Sequence, residues 1–125
     1  MASKSSGKAK QKVAPLAPQE IQQNFIRMQN ELQALAGKIG ELEQEADEHT
    51  LVLSTLNEAL AEEPDRMCFR LIGGVLVERT VKDVVPALQT NCDGIRTAVN
   101  GLAEQYKTKE EELEDFKRDY KIQPA

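Results

Sequence analysis

The fold of this chain is decided by the stretch RMCFRLIGGVLVERT, residues 66–80. Two runs rich in β-branched and large apolar residues flank the pair Gly73-Gly74. Because glycine takes positive φ without strain, this pair predicts a tight two-residue turn and therefore a β-hairpin. Side chains alternate along a strand, so both faces of the hairpin would carry apolar residues. The predicted cross-strand pairs are Ile72 with Val75 and Leu71 with Leu76.

A long helix is predicted on each side of the hairpin, over residues 19–63 and 81–122. Pro18 suits a helix start, and Pro64 suits a helix stop. Each helix carries a row of mostly apolar residues at alternating spacings of three and four, which we call its seam. This pattern indicates a coiled coil. The first seam consists of Ile21, Phe25, Met28, Leu32, Leu35, Ile39, Leu42, Ala46, His49, Leu53, Leu56 and Leu60. The second seam consists of Val81, Val85, Leu88, Cys92, Ile95, Val99, Leu102, Tyr106, Lys109, Leu113, Phe116 and Tyr120.

The two seams have equal length and match when the chain folds back at the hairpin. Leu60 then faces Val81, and Phe25 faces Phe116. The sequence therefore predicts a mainly α fold, in which one β-hairpin connects the helices of a long antiparallel two-helix coiled coil.

Details of the second helix start follow from the same pattern. Thr80 and Asp83 have the spacing of a capping box, in which the two side chains satisfy free N–H groups at a helix start. Pro86 lies just inside the helix and is expected to kink or restart its first turn.

Polar residues near the seam are given structural roles. Glu43 and Arg96 fall at flanking positions, where we expect a weak surface ion pair. His49 faces Cys92 with too few neighbouring ligands for a metal site, which favours a hydrogen-bonded seam histidine. Lys109 is expected to lay its stem along the seam and extend its amine to water.

Composition also favours helices over a globular core. Of the 125 residues, 40% are hydrophobic but only 4% are aromatic. No apolar run approaches the ~20 residues of a membrane-spanning helix, and residues 1–18 lack the apolar region of a signal peptide. Two cysteines and one histidine make a disulfide framework, a metal site or a catalytic centre improbable. We therefore expect a non-enzymatic protein without a cofactor, in the cytoplasm and also in the nucleus.

The net charge of −5 is unevenly spread. Residues 1–18 hold four lysines and no acid, and they are rich in Ser, Ala and Pro. This composition predicts a disordered basic tail. On an otherwise acidic chain without interleaved aromatic residues, such a tail favours a solubilising role over nucleic-acid binding. Neither nucleic acid nor a membrane is an expected partner.

We expect the hairpin to have partners. The stability of an isolated two-stranded hairpin is marginal in water, and its unpaired edges can bond to other strands. A tether built from a coiled coil has no need of such a segment. We therefore expect strands of neighbouring subunits to bury the hairpin. The predicted oligomerisation residues are Phe69, Leu71, Ile72, Gly73, Gly74, Val75, Leu76 and Val77.

The stretch RMCFRLIGGVLVERTVKDVVPAL, residues 66–88, closely resembles the β-class prefoldin subunits of eukaryotes, within them the subunit 2 group. The helix–hairpin–helix plan extends the resemblance over residues 19–122. The resemblance implies a hetero-hexamer of two α-type and four β-type subunits, in which the hairpins build a β-barrel base. It further implies an ATP-independent cochaperone that holds unfolded actin, tubulin and other clients and delivers them to the cytosolic chaperonin.

Client contact is expected where the first helix begins and the second ends, because frayed helix ends can present apolar side chains. The predicted contact residues are Ile21, Phe25, Ile26, Phe116, Tyr120 and Ile122. The alternative for these residues is that they only close the coiled coil. The alternative for the whole chain is a coiled-coil scaffold or tether without client-holding activity.

Overall fold

The computed structural model describes residues 15–122, and it confirms the mainly helical plan with one hairpin. Helix α1 spans Pro18–Glu62, strand β1 Met67–Ile72, strand β2 Val75–Thr80 and helix α2 Val81–Asp119. Most of the predicted disordered tail, residues 1–14, lies outside the described part of the chain. The chain divides into a hairpin unit, residues 35–105, and a terminal unit, residues 15–34 with 106–122.

In the hairpin unit, the two strands pair antiparallel in the predicted register. Ile72 lies opposite Val75, and Leu71 lies opposite Leu76. The turn residues Gly73 and Gly74 have φ values of 56° and 82°. Positive φ at both central residues is the mark of a type I′ turn, whose twist matches that of the strands it joins.

Helix α2 begins directly after β2, and its start is capped by the backbone rather than by side chains. The Val81 N–H donates to the Arg66 carbonyl at 3.0 Å, and the Lys82 N–H donates to the Pro64 carbonyl at 3.1 Å. The capping-box prediction is therefore wrong: within residues 15–122, the hydroxyl oxygen of Thr80 is buried without a hydrogen-bond partner. The loop between α1 and β1 already supplies acceptors for N–H groups at the helix start.

The same loop places a carboxylate beside the helix start. Asp65 Oδ1 lies 3.0 Å from Lys82 Nζ. The hydrogen bond and the negative charge of Asp65 raise the pKa of Lys82 above its usual value. Further along, α2 runs through Pro86 without interruption, so the predicted restart of the helix does not occur.

The core of the hairpin unit joins both helices to the inner side of the hairpin. Its buried members are Leu53 of α1 with Val81, Val85 and Cys92 of α2. Cys68 of β1 is partly buried and packs against this cluster. Val81 is only 1% exposed, so the first residue of α2 is anchored in the core as soon as the strand ends.

Polar side chains beside the seam are satisfied locally. Arg96 Nη2 donates to Thr50 Oγ1 at 2.7 Å, and Thr50 Oγ1 donates in turn to the Ala46 carbonyl at 3.0 Å. The expected partner of Arg96, Glu43, forms no ion pair within residues 15–122. The guanidinium instead reaches a hydroxyl one heptad further along α1.

His49 is half-buried, and its Nδ1 donates to the Glu45 carbonyl at 2.9 Å. This hydrogen bond within its own helix fits the interpretation of His49 as a satisfied seam residue. Cys92, which faces this region of α1, directs its thiol toward the Ala46 carbonyl at 3.8 Å.

In the terminal unit, Leu113 is buried and Lys109 bridges the helices. Lys109 Nζ lies 3.4 Å from Glu31 Oε1, and Arg27 Nη1 lies 3.2 Å from Glu31 Oε2. The amine of Lys109 therefore reaches a surface carboxylate, as expected for a lysine whose stem follows the seam.

Helix α2 ends at Asp119, three residues before the predicted boundary, because the chain there adopts a helix-terminating turn. Lys121 has a φ of 55°, the Lys121 N–H donates to the Arg118 carbonyl, and the Ile122 N–H donates to the Lys117 carbonyl. This pair of hydrogen bonds around a left-handed residue is a Schellman motif.

The core can be tested by a matched pair of substitutions in α1. Leu53 is 5% exposed, whereas Leu51 is 71% exposed. Leu53→Ala is expected to lower the free energy of unfolding by about 2–5 kcal/mol, because it leaves a cavity among packed side chains. Leu51→Ala is expected to change it by less than about 0.5 kcal/mol. Urea unfolding followed by circular dichroism measures both; equal losses would contradict the described packing.

The turn offers a second test. Gly73→Ala and Gly74→Ala are each expected to lower the free energy of unfolding by about 1–2 kcal/mol, because an L side chain is strained at positive φ. Gly37→Ala serves as the control: it lies inside α1 with open space around it, and it is expected to stabilise by up to about 1 kcal/mol. The same unfolding measurement applies, and stabilisation by either turn substitution would rule out the described turn.

Candidate functional site

The candidate site is the apolar surface of the hairpin. Phe69, Leu71, Val75 and Leu76 are each between 62% and 68% exposed. Large apolar side chains on a soluble chain are seldom gathered at such exposure without a partner to cover them. Ile72 and Met67 are also exposed, whereas Val77 is half-buried.

Register and alternation divide these side chains between two faces. Residues directly opposite one another in an antiparallel pair point to the same side. We call one side the inner face, because it includes Cys68, which packs on the core, together with the half-buried Val77. The other side, the outer face, carries four exposed apolar residues, one acid and one half-buried threonine: Met67, Phe69, Leu71, Leu76, Glu78 and Thr80.

The backbone hydrogen bonds of the hairpin follow the same alternation. The Val81 N–H donates to the Arg66 carbonyl, and the tight turn closes between Ile72 and Val75. Hydrogen-bonded and non-hydrogen-bonded residue pairs alternate along an antiparallel ladder. Because the pairs Arg66–Val81 and Ile72–Val75 are both hydrogen-bonded, the state of every pair between them follows. The residues left with outward-pointing N–H and C=O groups are 67, 69 and 71 on β1 and 76, 78 and 80 on β2.

Both edges of the hairpin are therefore open, since the sheet within residues 15–122 has only two strands. The residues with outward backbone groups also carry the outer-face side chains. A strand added along either edge would gain backbone hydrogen bonds and cover apolar surface at once. This arrangement suits strand pairing with another chain, and it offers no convergent polar centre.

Three exposed apolar residues lie outside the predicted oligomerisation set, one in the hairpin and two in α1. Met67 was not among the predicted oligomerisation residues, although its position two residues before Phe69 places it on the same face. In the hairpin unit, Leu51 and Val52 of α1 also project from the seam and are exposed.

The predicted client-contact residues lie in the terminal unit and are less exposed. Five of them are half-buried: Ile21, Phe25, Phe116, Tyr120 and Ile122. Ile26 is 46% exposed. The rings of Phe116 and Tyr120 contact each other at the end of α2, with centroids 4.8 Å apart and planes tilted by 45°. These side chains thus pack and remain partly accessible, and their contact with clients stays a prediction.

Other kinds of site find no support in the described part of the chain. Among residues 15–122, no group of three or more His, Cys, Asp or Glu side chains is arranged to hold a metal ion. None of the helices in that range has both the length and the apolar character to cross a membrane.

Known proteins similar to this chain share its plan. A family model described as prefoldin subunit matches residues 19–124. The probable prefoldin subunit 2 of Schizosaccharomyces pombe is 50% identical over 109 residues, covering 87% of this chain and 93% of that protein. Prefoldin subunit 2 of Homo sapiens is 44% identical over 121 residues, covering 97% of this chain and 76% of that protein.

Solved structures show the same fold. The prefoldin beta subunit from Thermococcus strain KS-1 aligns with a TM-score of 0.72 and 18% identity, covering 90% of this chain and all of that one. The match of the family model to most of the chain, together with relatives at 44–50% identity, confirms the resemblance seen in residues 66–88. This chain belongs to the prefoldin subunit family.

Proposed function

We propose that the chain is one β-class subunit of an ATP-independent chaperone, a hetero-hexamer completed by two α-type and further β-type prefoldin subunits. The observation that carries this proposal is the hairpin, whose outer face and both edges are open in the single chain. Membership of the prefoldin subunit family supports the chaperone role.

The energetics favour assembly through the hairpin. Burying one Leu, Val or Phe side chain stabilises by about 1.5–3 kcal/mol. Because these side chains are already about one third buried, covering Phe69, Leu71, Val75 and Leu76 would contribute on the order of 4–8 kcal/mol, before the cost of association is subtracted. Backbone hydrogen bonds along each open edge add to this and fix the register.

Client binding is assigned to the terminal unit. Ile26 is exposed there, and the half-buried Phe25, Phe116, Tyr120 and Ile122 require only local fraying to present more apolar surface. Weak contacts of this kind, repeated on several subunits of one assembly, add through effective concentration and still permit release. We propose unfolded actin, tubulin and other nascent chains as the clients and the cytosolic chaperonin as the recipient, as the family resemblance implies.

The proposed activity needs no covalent chemistry and no nucleotide. It consists of apolar capture and release, for which the chain supplies two helix ends and an assembly element. We propose that the chain works in the cytoplasm and also in the nucleus.

Assembly can be tested by placing a charge on the hairpin. Leu76→Asp and Val75→Asp lie at exposed positions, so the helical signal and the melting temperature of the isolated chain should change little. In co-expression with the other prefoldin subunits, each is expected to reduce incorporation into the hexamer at least about tenfold, because a buried unpaired carboxylate costs several kcal/mol. Size-exclusion chromatography with quantitative mass spectrometry measures incorporation.

Asn91→Asp, which adds the same charge at an exposed position of α2, is the matched control and should assemble normally. Normal incorporation of both hairpin variants would show that the hairpin does not carry assembly.

Client holding can be tested in the terminal unit with the double variant Ile26→Ser and Ile122→Ser. We expect the reconstituted hexamer to form normally but to need about twice the concentration to suppress aggregation of denatured actin, because one of several apolar arms is weakened. Light scattering during dilution of the actin from denaturant gives the readout.

The control pair Gln22→Ser and Gln23→Ser alters exposed polar residues of the same helix and should leave suppression unchanged. Full suppression by the Ile26 and Ile122 variant would favour the alternative role of a scaffold or tether without client-holding activity.

A further inference from the structure

A single carboxylate interrupts the apolar outer face of the hairpin. Glu78 lies directly opposite Phe69, and it shares its face with Met67, Leu71 and Leu76. Its side chain is exposed, and within residues 15–122 its carboxylate makes no ion pair or hydrogen bond. In the open hairpin, water solvates this charge; under a covering strand, it would lose that solvation.

The backbone of Glu78 is also at the edge. Its N–H and C=O groups point away from β1, because the pair of Phe69 with Glu78 is a non-bonded pair of the ladder. Arg79 Nη1 donates to this outward Glu78 carbonyl at 3.0 Å. The charged side chains of Glu78 and Arg79 therefore lie at the middle of the β2 edge. Charged residues at open edges often disfavour unwanted strand pairing.

The β1 edge has no such guard. Its outward-pointing residues are Met67, Phe69 and Leu71, all of them exposed and apolar. The two edges of the same hairpin thus differ in chemistry. The β1 edge accepts an apolar neighbouring strand, whereas a strand at the β2 edge must compensate the negative charge of Glu78.

The β2 strand of a second copy of this chain is a poor partner for the β2 edge. The antiparallel register that uses every outward residue of both strands pairs residue 76 with 80 and sets Glu78 against Glu78 of the other copy. Like charges directly opposite one another destabilise a strand pair. Shifting the register by two residues separates the carboxylates, but it places Glu78 opposite Leu76 or Thr80, neither of which supplies a positive charge, and it loses one bonded pair of residues.

We propose that Glu78 selects the partner at the β2 edge: it accepts a strand of a different subunit that carries Lys or Arg opposite Glu78, and it rejects the β2 strand of a second copy of this chain. When that strand docks, its N–H replaces Arg79 at the Glu78 carbonyl. The inference rests on the proposed function, in which the hairpin edges carry assembly, and it adds the chemistry of the strand that this edge admits.

The chain itself can serve as the probe, because Glu78→Lys turns one copy into the required basic partner. All proteins in the experiment carry Leu71→Pro, which removes an outward N–H from β1 and so blocks that edge without breaking the internal ladder. Chains with Glu78 and chains with Glu78→Lys are mixed in equal amounts, allowed to exchange, and analysed by native mass spectrometry, which resolves the dimers by mass.

Random pairing gives twice as many mixed dimers as dimers of either kind. We expect mixed dimers to exceed this ratio by roughly fivefold at low salt, because opposite charges replace like charges across the pair. The excess should shrink toward random pairing at about 0.5 M salt. Adding Leu76→Pro to both chains removes an outward N–H from β2 and is expected to abolish the excess.

Mixing Glu78 chains with Glu78→Gln chains is the charge control, and it should yield no comparable excess. Random proportions in the Glu78→Lys mixture, or the absence of mixed dimers altogether, would overturn the proposal; equally abundant dimers of the Glu78 chain would identify a second copy as an accepted partner. Failure here is distinct from failure of the proposed function, which is scored by hexamer incorporation of Leu76→Asp and Val75→Asp.

Discussion

The structure depends on a hydrogen-bonded ladder that is complete inside the hairpin and open on both sides. The tight turn and the Val81 to Arg66 hydrogen bond fix its phase, and this phase decides which backbone groups face outward. The same residues carry the exposed side chains Phe69, Leu71 and Leu76. Outward backbone groups and exposed side chains thus occur at the same alternate residues, so a strand added along one edge can meet both at that edge.

The ladder is also tied to the helices. Val81 is the last residue to bond across the hairpin, the first residue of α2 and the most deeply buried large side chain. The carbonyls of Pro64 and Arg66, in the loop before β1, cap the helix that follows β2. Any displacement of the strands would therefore disturb the helix start and the core beside Leu53 and Val85. This coupling holds the hairpin in one position while its outer face stays uncovered.

What could be predicted from the sequence was set by local chemistry or by long periodic patterns. Gly73 and Gly74 specify the turn by themselves, and the register of the strands follows from the turn. The seam pattern extends over dozens of residues, so single exceptions such as His49 and Lys109 do not obscure it. The unpaired edges of the hairpin predicted assembly, and the family resemblance of residues 66–88 supplied the client role, which periodicity alone does not contain.

The errors arose where a detail depends on contacts or backbone angles that the local pattern does not specify. Thr80 and Asp83 have capping-box spacing, but the Thr80 hydroxyl is buried without a partner within residues 15–122, and loop carbonyls bind the N–H groups of Val81 and Lys82. Arg96 was paired with Glu43 on position and charge, whereas its guanidinium donates to the Thr50 hydroxyl at 2.7 Å. The end of α2 at Asp119 depends on Lys121 adopting positive φ, which no glycine signalled.

The distribution of apolar residues explains why the outer face of the hairpin stays open. The buried core of the hairpin unit is small, and its residues pack the two helices against the inner face of the hairpin. Few other apolar residues are therefore available to cover the outer face. Covering that face internally would need another element, which the helix–hairpin–helix plan does not provide. An open apolar edge is an aggregation hazard, and a uniformly charged edge would prevent any assembly. Charges on β2 and apolar residues on β1 avoid both extremes, because the two edges then impose different requirements on their partners. Two β2 edges of identical chains would set Glu78 against Glu78, so this edge favours a strand of different charge, which agrees with the proposed hetero-oligomer.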